Sequence, residues 1–312
     1  MNTLIFLIIL GLIHCENTFA INLEEVNNIK TLAKWEVQDP SSNMFKGWTI
    51  EQVKKLMGYM LPESPPEIEE NSNQMGRTSD TFSLGLPTDF DGRNEWKQCL
   101  APIKNQGNCG SCWAHATVDT FSVMRCLKLK IDYEQMSIQD MVSCDMNNGA
   151  CNGGRFGASF SYLVMKGVVT DSCVPYTSGE NGTVPKCLTK ACKSSKQEFI
   201  KHKCLKRSSV NLGNKINFIK KWLMNNGPLS VGFEVFSDFM SYKSGVYEHV
   251  SGTSEGGHAV LLVGWGTIPN SETTYWICQN SWGTRWGMDG FFYIKMHECY
   301  IDSLAYSCLP AD

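Results

Sequence analysis

The chain has 312 residues, 42% of them hydrophobic and 19% charged, which excludes a chain disordered throughout. Lys and Arg number 28 against 31 Asp and Glu, a formal charge of -3, so nucleic acid is not the main partner. The 14 cysteines predict an oxidising compartment and several disulfides.

Residues 1–20 read MNTLIFLIILGLIHCENTFA, an apolar run from Leu4 to Ile13 and then polar residues ending at the small residue Ala20. This predicts a secretory signal peptide cut after Ala20. The run is about half the roughly 20 residues that span a bilayer, so a membrane anchor is not expected. Residues 21–85 contain no cysteine and include the acidic, turn-rich LPESPPEIEENSNQMGRTSD. A helix is predicted in GWTIEQVKKLMG, with Ile50, Val53 and Met57 on one face. Leu61 to Asp80 is expected to be extended or loosely ordered. Periodicity leaves two readings of 21–85 open, a flexible extension and a pro-segment that covers a site.

From Leu86 onward the cysteines begin. Cys112 to Lys130 carries apolar residues on two faces and predicts a buried helix. Ser137 is the expected cap of a short second helix, with Asp140 at its third position. Phe156 to Lys166 reads as a third helix stopped by Gly167, and Asn214 to Asn226 as a fourth ended by Gly227-Pro228. After Pro228 the segments LSVGFEV, HAVLLVGWG, TTYWICQN and GFFYIKM predict strands. Helices first and strands later imply an α+β fold of two subdomains packed together.

The sharpest chemical signal is QGNCGSCWAHA, residues 106 to 116. Cys112 would open the buried helix, where the helix N-terminus and a neighbouring imidazolium favour thiolate over thiol. A thiolate nucleophile needs a base, a group to orient that base, and donors for the developing oxyanion.

Cys109-Gly110-Ser111-Cys112-Trp113 is the local signature of papain-like cysteine peptidases. His258 in EGGHAVLLVGWG, Asn280 in QNSWGTRWG and the CNGG at 151 to 154 follow the family pattern, and the chain resembles that family over residues 86–312. The resemblance implies a papain-like two-subdomain fold, with a helical half holding the nucleophile helix and a β-barrel-like half across an active-site cleft. It implies that Cys112 attacks the peptide carbonyl, that His258 pairs with it as imidazolium, and that Asn280 orients the ring under Trp282. Gln106 and the Cys112 N–H would form the oxyanion hole. Gly153 and Gly154 would let a substrate strand lie close.

Within the family the chain resembles cathepsin B, in LPTDFDGRNEWKQC, in SDFMSYKSGVYEHVSG and in the short N-terminal segment. That implies a pro-segment over 21–85 which occupies the cleft backwards, is removed at acid pH and ends just before Leu86. Only VPYTSGENGTVPK separates Cys173 from Cys187, so the long histidine-bearing loop of cathepsin B is missing. An open cleft favours endopeptidase action. The acidic residue that admits Arg to the second subsite in cathepsin B aligns with Leu304. With Phe156 and Ala259 as further walls, an apolar pocket is expected that accepts Arg poorly.

The resemblance implies the disulfides Cys99–Cys126, Cys109–Cys151, Cys144–Cys187 and Cys173–Cys192. For Cys204, Cys278, Cys299 and Cys308, a bridge such as Cys204–Cys308, four buried thiols and a zinc site stay open, with no CxxC pair among them to favour zinc. Asn181-Gly182-Thr183 is a glycosylation acceptor, and the lysine-rich Lys186 to Arg207 reads as a solvated face. No cofactor or metal is expected. The expected partners are protein and peptide substrates, the chain's own pro-segment and cystatin-type inhibitors, for a monomer in a lysosome, a digestive vacuole or outside the cell. A silent relative acting as a binding or matrix protein, and an acyl transferase using the same thioester, are the competing functions.

Overall fold

The structure is a computed structural model and describes residues 19–62, 85–193 and 198–311. The expected signal peptide, apart from Phe19 and Ala20, lies outside the described residues, as does most of Leu61 to Asp80.

The N-terminal segment opens with a helix, Leu23–Leu32, which sequence reading missed. Its signal was present. Asn22 caps it by accepting from the Glu24 and Glu25 N–H groups, and Val26 and Ile29 supply a buried stripe. Strand β1 (Glu36–Val37) follows. The helix predicted in GWTIEQVKKLMG is Ile50–Lys54, closed by a capping box between Thr49 and Gln52. Val53 and Leu56 are buried in the core while Ile50 and Met57 pack against it from its edge.

Strand β2 (Phe90–Asp91) begins the following domain. The helix Cys112–Leu129 is buried along almost its whole length, because it is wrapped on several sides. The helices Ile138–Cys144 and Phe156–Met165 pack on it from one direction and the sheet from another. The Ser137 Oγ accepts from the Asp140 N–H at 2.9 Å, as the cap pattern predicts. The Asp140 carboxylate in turn accepts from the Val169 N–H at 2.9 Å and holds Lys201, one of the basic residues read as solvated, at 2.5 Å. Trp113, Phe121, Ile138, Phe156, Phe160 and Leu163 fill the core of this helical half.

The fourth helix spans Ile216–Asn225, preceded by strand β3 (Val210–Asn211). Then come β4 (Leu229–Phe236), β5 (Tyr242–Ser244), β6 (Val246–Tyr247), β7 (Ser254–Thr267), β8 (Thr274–Gln279), β9 (Phe291–Lys295) and β10 (Ala305–Ser307). The main sheet runs β3-β10-β4-β7-β8-β9-β6, with β2 also paired to β7. β7 is the longest strand and turns the sheet. Its first half pairs with β4, its second with β8, and a register irregularity lies between Leu262 and Gly264. The sheet does not close into the barrel the family resemblance implied. Its ends, β3 and β6, are two-residue strands that pair only with β10 and β9, and a strand that short has no further ladder to offer. β1 pairs with β5, which stitches the N-terminal segment onto the strand-rich half.

The four expected disulfides are bonded in the structure, and Cys204–Cys308 is a fifth. Cys112, Cys278 and Cys299 are free and buried. The Cys204–Cys308 bridge closes a sequence separation of 104. Its loss on Cys308→Ser should cost about 2–5 kcal/mol. Guanidinium unfolding of the variant tests this, and an unchanged midpoint would count against it.

Candidate active site

Cys112 is the first residue of its helix, and the cap residue Ser111 makes no side-chain cap bond. The competing disulfide fate falls to its neighbour Cys109, bonded to Cys151, and the Cys112 sulfur remains a thiol. His258 enters from β7, where it pairs with Phe233 of β4. Its Nε2 lies 2.7 Å from Asn280 Oδ1, just past the end of β8. That oxygen also accepts from the Ser281 N–H at 2.7 Å, which identifies it as oxygen and puts the ring proton on Nε2. Nδ1, the nitrogen left free, has no hydrogen-bond partner. Trp282 covers the ring, with centroids 4.7 Å apart.

Gln106 reaches the cleft from the loop before the helix. Its Oε1 accepts from Ser281 Oγ at 2.8 Å and its Nε2 donates to the carbonyls of Cys109 and Leu56, each at 3.0 Å. The second acceptor matters most, because Leu56 belongs to the N-terminal segment. Gly58 follows it across the helix start, and a Cβ there would stand 1.8 Å from the Gly110 carbonyl oxygen, so only glycine fits. The Gly154 N–H donates to the Gly58 carbonyl at 2.8 Å, and the Gly154 carbonyl accepts from the Met60 N–H at 3.0 Å. Gly153 sits at φ +111° with its missing Cβ 2.8 Å from the Gly58 oxygen. On the opposite wall the Tyr59 N–H donates to the Gly257 carbonyl at 3.0 Å. The segment thus pairs parallel with Gly154 and antiparallel with Gly257.

Tyr59 fills a pocket against Phe156, with ring centroids 4.6 Å apart, and only 4% of it is exposed. Leu304 and Tyr306 line the same recess. Ala259 is buried in the same apolar cluster. Gly232 is a wall that sequence reading missed, since a Cβ there would come within 2.1 Å of the Tyr59 ring. Only the pairing of β4 with β7 brings Gly232 opposite Ala259. Trp282, placed with the substrate-binding residues by the family resemblance, lies against the His258 ring. Phe45 of the N-terminal segment packs edge-on against it at 5.4 Å. Asn181 is exposed on the turn Ser178–Asn181, and its Oδ1 accepts from the Thr183 N–H at 2.9 Å.

Beneath the N-terminal segment both Cys112 and His258 are fully buried. Burial pushes the Cys112 thiol up to about 12, against the nearby N–H groups of Ala259, Gly58, Trp113 and Cys112 itself. Burial likewise pushes His258 down to about 4, against its bond to Asn280. Under the segment a charge on either group is disfavoured, because it would lose its water.

A nucleophile on a helix tip and a strand histidine held by an asparagine, across a cleft between two halves, define a papain-like thiol peptidase. The chain belongs to that family, for residues 86–309 match the one described as papain family cysteine protease. It is 38% identical to cathepsin B-like CP2 of Giardia intestinalis over 92% of this chain and 94% of the relative. It is 31% identical to cathepsin B of Dictyostelium discoideum over 83% of this chain and 84% of that one. The solved structure of procathepsin B S9 from Trypanosoma congolense superposes with a TM-score of 0.80 at 29% identity, over 94% of this chain and all of that one. The chain is a cathepsin B-like cysteine peptidase, and the segment in its cleft is that of a proform.

Uncovering the cleft lets the His258 pKa return from about 4 toward its ordinary 6.5. In that window the covered state binds fewer protons than the open one. Its stability therefore falls as the pH drops from 6.5 to 4, by up to about tenfold per pH unit for one proton. Glu36, held below its ordinary range by Lys243 and Ser244 of β5, acts in the same direction. In a Cys112→Ala precursor, which has no nucleophile to cut itself, segment opening followed by tryptophan fluorescence should rise across this window. A flat response would contradict the assignment.

Proposed function

We propose that the protein is made as a secreted zymogen and acts as an endopeptidase with an apolar second subsite. The observation that supports this reading best is the order of contacts along the N-terminal segment. The Leu56 carbonyl takes the Gln106 donor, while the residue in the apolar pocket, Tyr59, lies three positions toward the C-terminus. A peptide to be cut has its pocket residue on the N-terminal side of the reacting carbonyl. The segment therefore lies in the cleft in the reverse sense and is not positioned for cleavage.

With the segment gone, the Cys112 thiolate attacks the carbonyl carbon of a substrate. The oxygen becomes an oxyanion within reach of Gln106 Nε2 and the Cys112 N–H. His258 passes its proton to the leaving amine, the C–N bond breaks, and a thioester remains. Water adds to the thioester with His258 taking its proton, the C–S bond breaks, and the acid leaves as the Cys112 thiolate and protonated His258 are restored. Asn280 holds the ring through both transfers and Trp282 keeps water off that bond. Gly153 and Gly154 offer backbone to the substrate strand.

Residues 1–20 would act as the signal peptide and 21–85 as the pro-segment, leaving 86–312 as the mature enzyme. Asn181, exposed beside the cleft, would carry a glycan. Lysosome, digestive vacuole and extracellular space all suit such an enzyme. Protein and peptide substrates and cystatin-type inhibitors are its proposed partners, and it would work as a monomer.

Cys112→Ala should abolish peptide hydrolysis while the fold remains, and a thiol alkylator should label the mature wild type stoichiometrically at Cys112. A folded wild type that neither labels nor cleaves would instead be a silent binding protein.

Phe156, Leu304 and Ala259 offer no charge to a buried guanidinium, so Arg in the second subsite should be poorly cut. Leu304→Glu should raise its cleavage by at least roughly tenfold, since a paired charge there offsets desolvation. A peptide library with the second position varied gives the answer, and an unchanged profile would show that Leu304 is not in the pocket. Dominant release of C-terminal dipeptides would contradict the open cleft.

A further inference from the structure

Gln106 is gripped from both halves of the molecule. On the strand-rich side its N–H donates to the Ser281 carbonyl at 2.9 Å. On the helical side its carbonyl accepts from the Tyr176 hydroxyl at 2.8 Å. The Tyr176 oxygen lies 2.7 Å from Ser111 Oγ. Ser111 Oγ is 3.3 Å from His115 Nδ1, which also lies 3.0 Å from the Ser111 carbonyl. The His115 ring stands edge-on to Tyr176 with centroids 4.8 Å apart. Ser111 and His115 are buried at 0% and 2% exposure, and none of the three residues takes part in the chemistry above.

Counting protons gives this chain a direction. A carbonyl only accepts, so the single Tyr176 proton is committed to Gln106. The bond between Ser111 and Tyr176 then requires Ser111 to donate. The Ser111 carbonyl also only accepts, so the His115 proton sits on Nδ1, shared between that carbonyl and Oγ. His115 Nε2 is left as a buried lone pair without a partner. Burial keeps the ring neutral, which suits a single-proton role.

We propose that Tyr176, backed by Ser111 and His115, is a positioning residue for the Gln106 oxyanion donor. Gln106 lies in a loop, and a loop amide aimed at a developing charge loses much of its effect when it drifts by an ångström. The two backbone bonds, one to each half, fix the peptide from which its side chain springs. The inference rests on the oxyanion role proposed for Gln106.

The test uses the mature enzyme, with concentrations set by active-site titration. It compares a peptide substrate, a peptide aldehyde and the corresponding peptide alcohol. The aldehyde adds Cys112 and places an oxyanion in the hole, whereas the alcohol has no carbonyl to attack. Tyr176→Phe keeps the ring and removes the hydroxyl. It should lower kcat and aldehyde affinity together by roughly tenfold, leaving KM and alcohol affinity unchanged. His115→Phe should give a smaller fall of the same kind, on the order of two- to threefold. Gln106→Ala is the reference and should lose roughly a hundredfold or more.

If Gln106→Ala behaves so but Tyr176→Phe leaves kcat and aldehyde affinity unchanged, the positioning role is overturned alone. If Gln106→Ala is also without effect, the oxyanion reading falls and the proposal falls with it. Should Tyr176→Phe fail to fold, Ser111→Ala removes the donor that fixes the tyrosine oxygen, and an unchanged kcat and aldehyde affinity there overturns the proposal equally.

Discussion

Everything in this structure turns on the close contact between the start of the Cys112 helix and the backbone passing above it. A helix start offers free N–H groups and a partial positive charge, which favour a thiolate. Those same atoms, sealed under Leu56, Gly58 and Tyr59, are pushed the other way, because desolvation outweighs a few hydrogen bonds. The cover therefore disfavours a charged sulfur at the helix start.

The cover borrows the cleft's own recognition chemistry. It pairs with Gly154 and Gly257 as a strand would, places a carbonyl on Gln106 and fills the apolar pocket with an aromatic ring. Its reversed direction separates binding from cleavage. Phe45 against Trp282, Asn43 on the Met240 carbonyl and β1 beside β5 anchor it at a distance from the chemistry. Several of these anchors are apolar or neutral. Acid is felt instead at His258 and Glu36, whose covered forms bind fewer protons.

The catalytic geometry is split between the halves in a way that makes the domain boundary part of the machine. The helical half brings sulfur and Gln106, and the sheet brings His258, Asn280 and Ser281. Ser281 touches both groups, through its N–H to Asn280 and its hydroxyl to Gln106. A single residue thus links Asn280, which holds the His258 ring, to the Gln106 side chain.

The sequence alone determined the elements and the chemistry. Residue spacing marked the buried helix, its cap at Ser137, the four long strands and the set Gln106, Cys112, His258 and Asn280, because periodicity and short motifs are local properties. The helix at Leu23–Leu32 was legible too, in Asn22 and the two glutamates, though it went unread. Only the tertiary structure decided that Cys204 reaches Cys308 while Cys278 and Cys299 stay free, and that Gly232 faces the pocket. It alone decided that the sheet stays open and that both Cys112 and His258 lie buried beneath the N-terminal segment. Each of these depends on residues far apart in the chain meeting in space, and on how much water their meeting excludes.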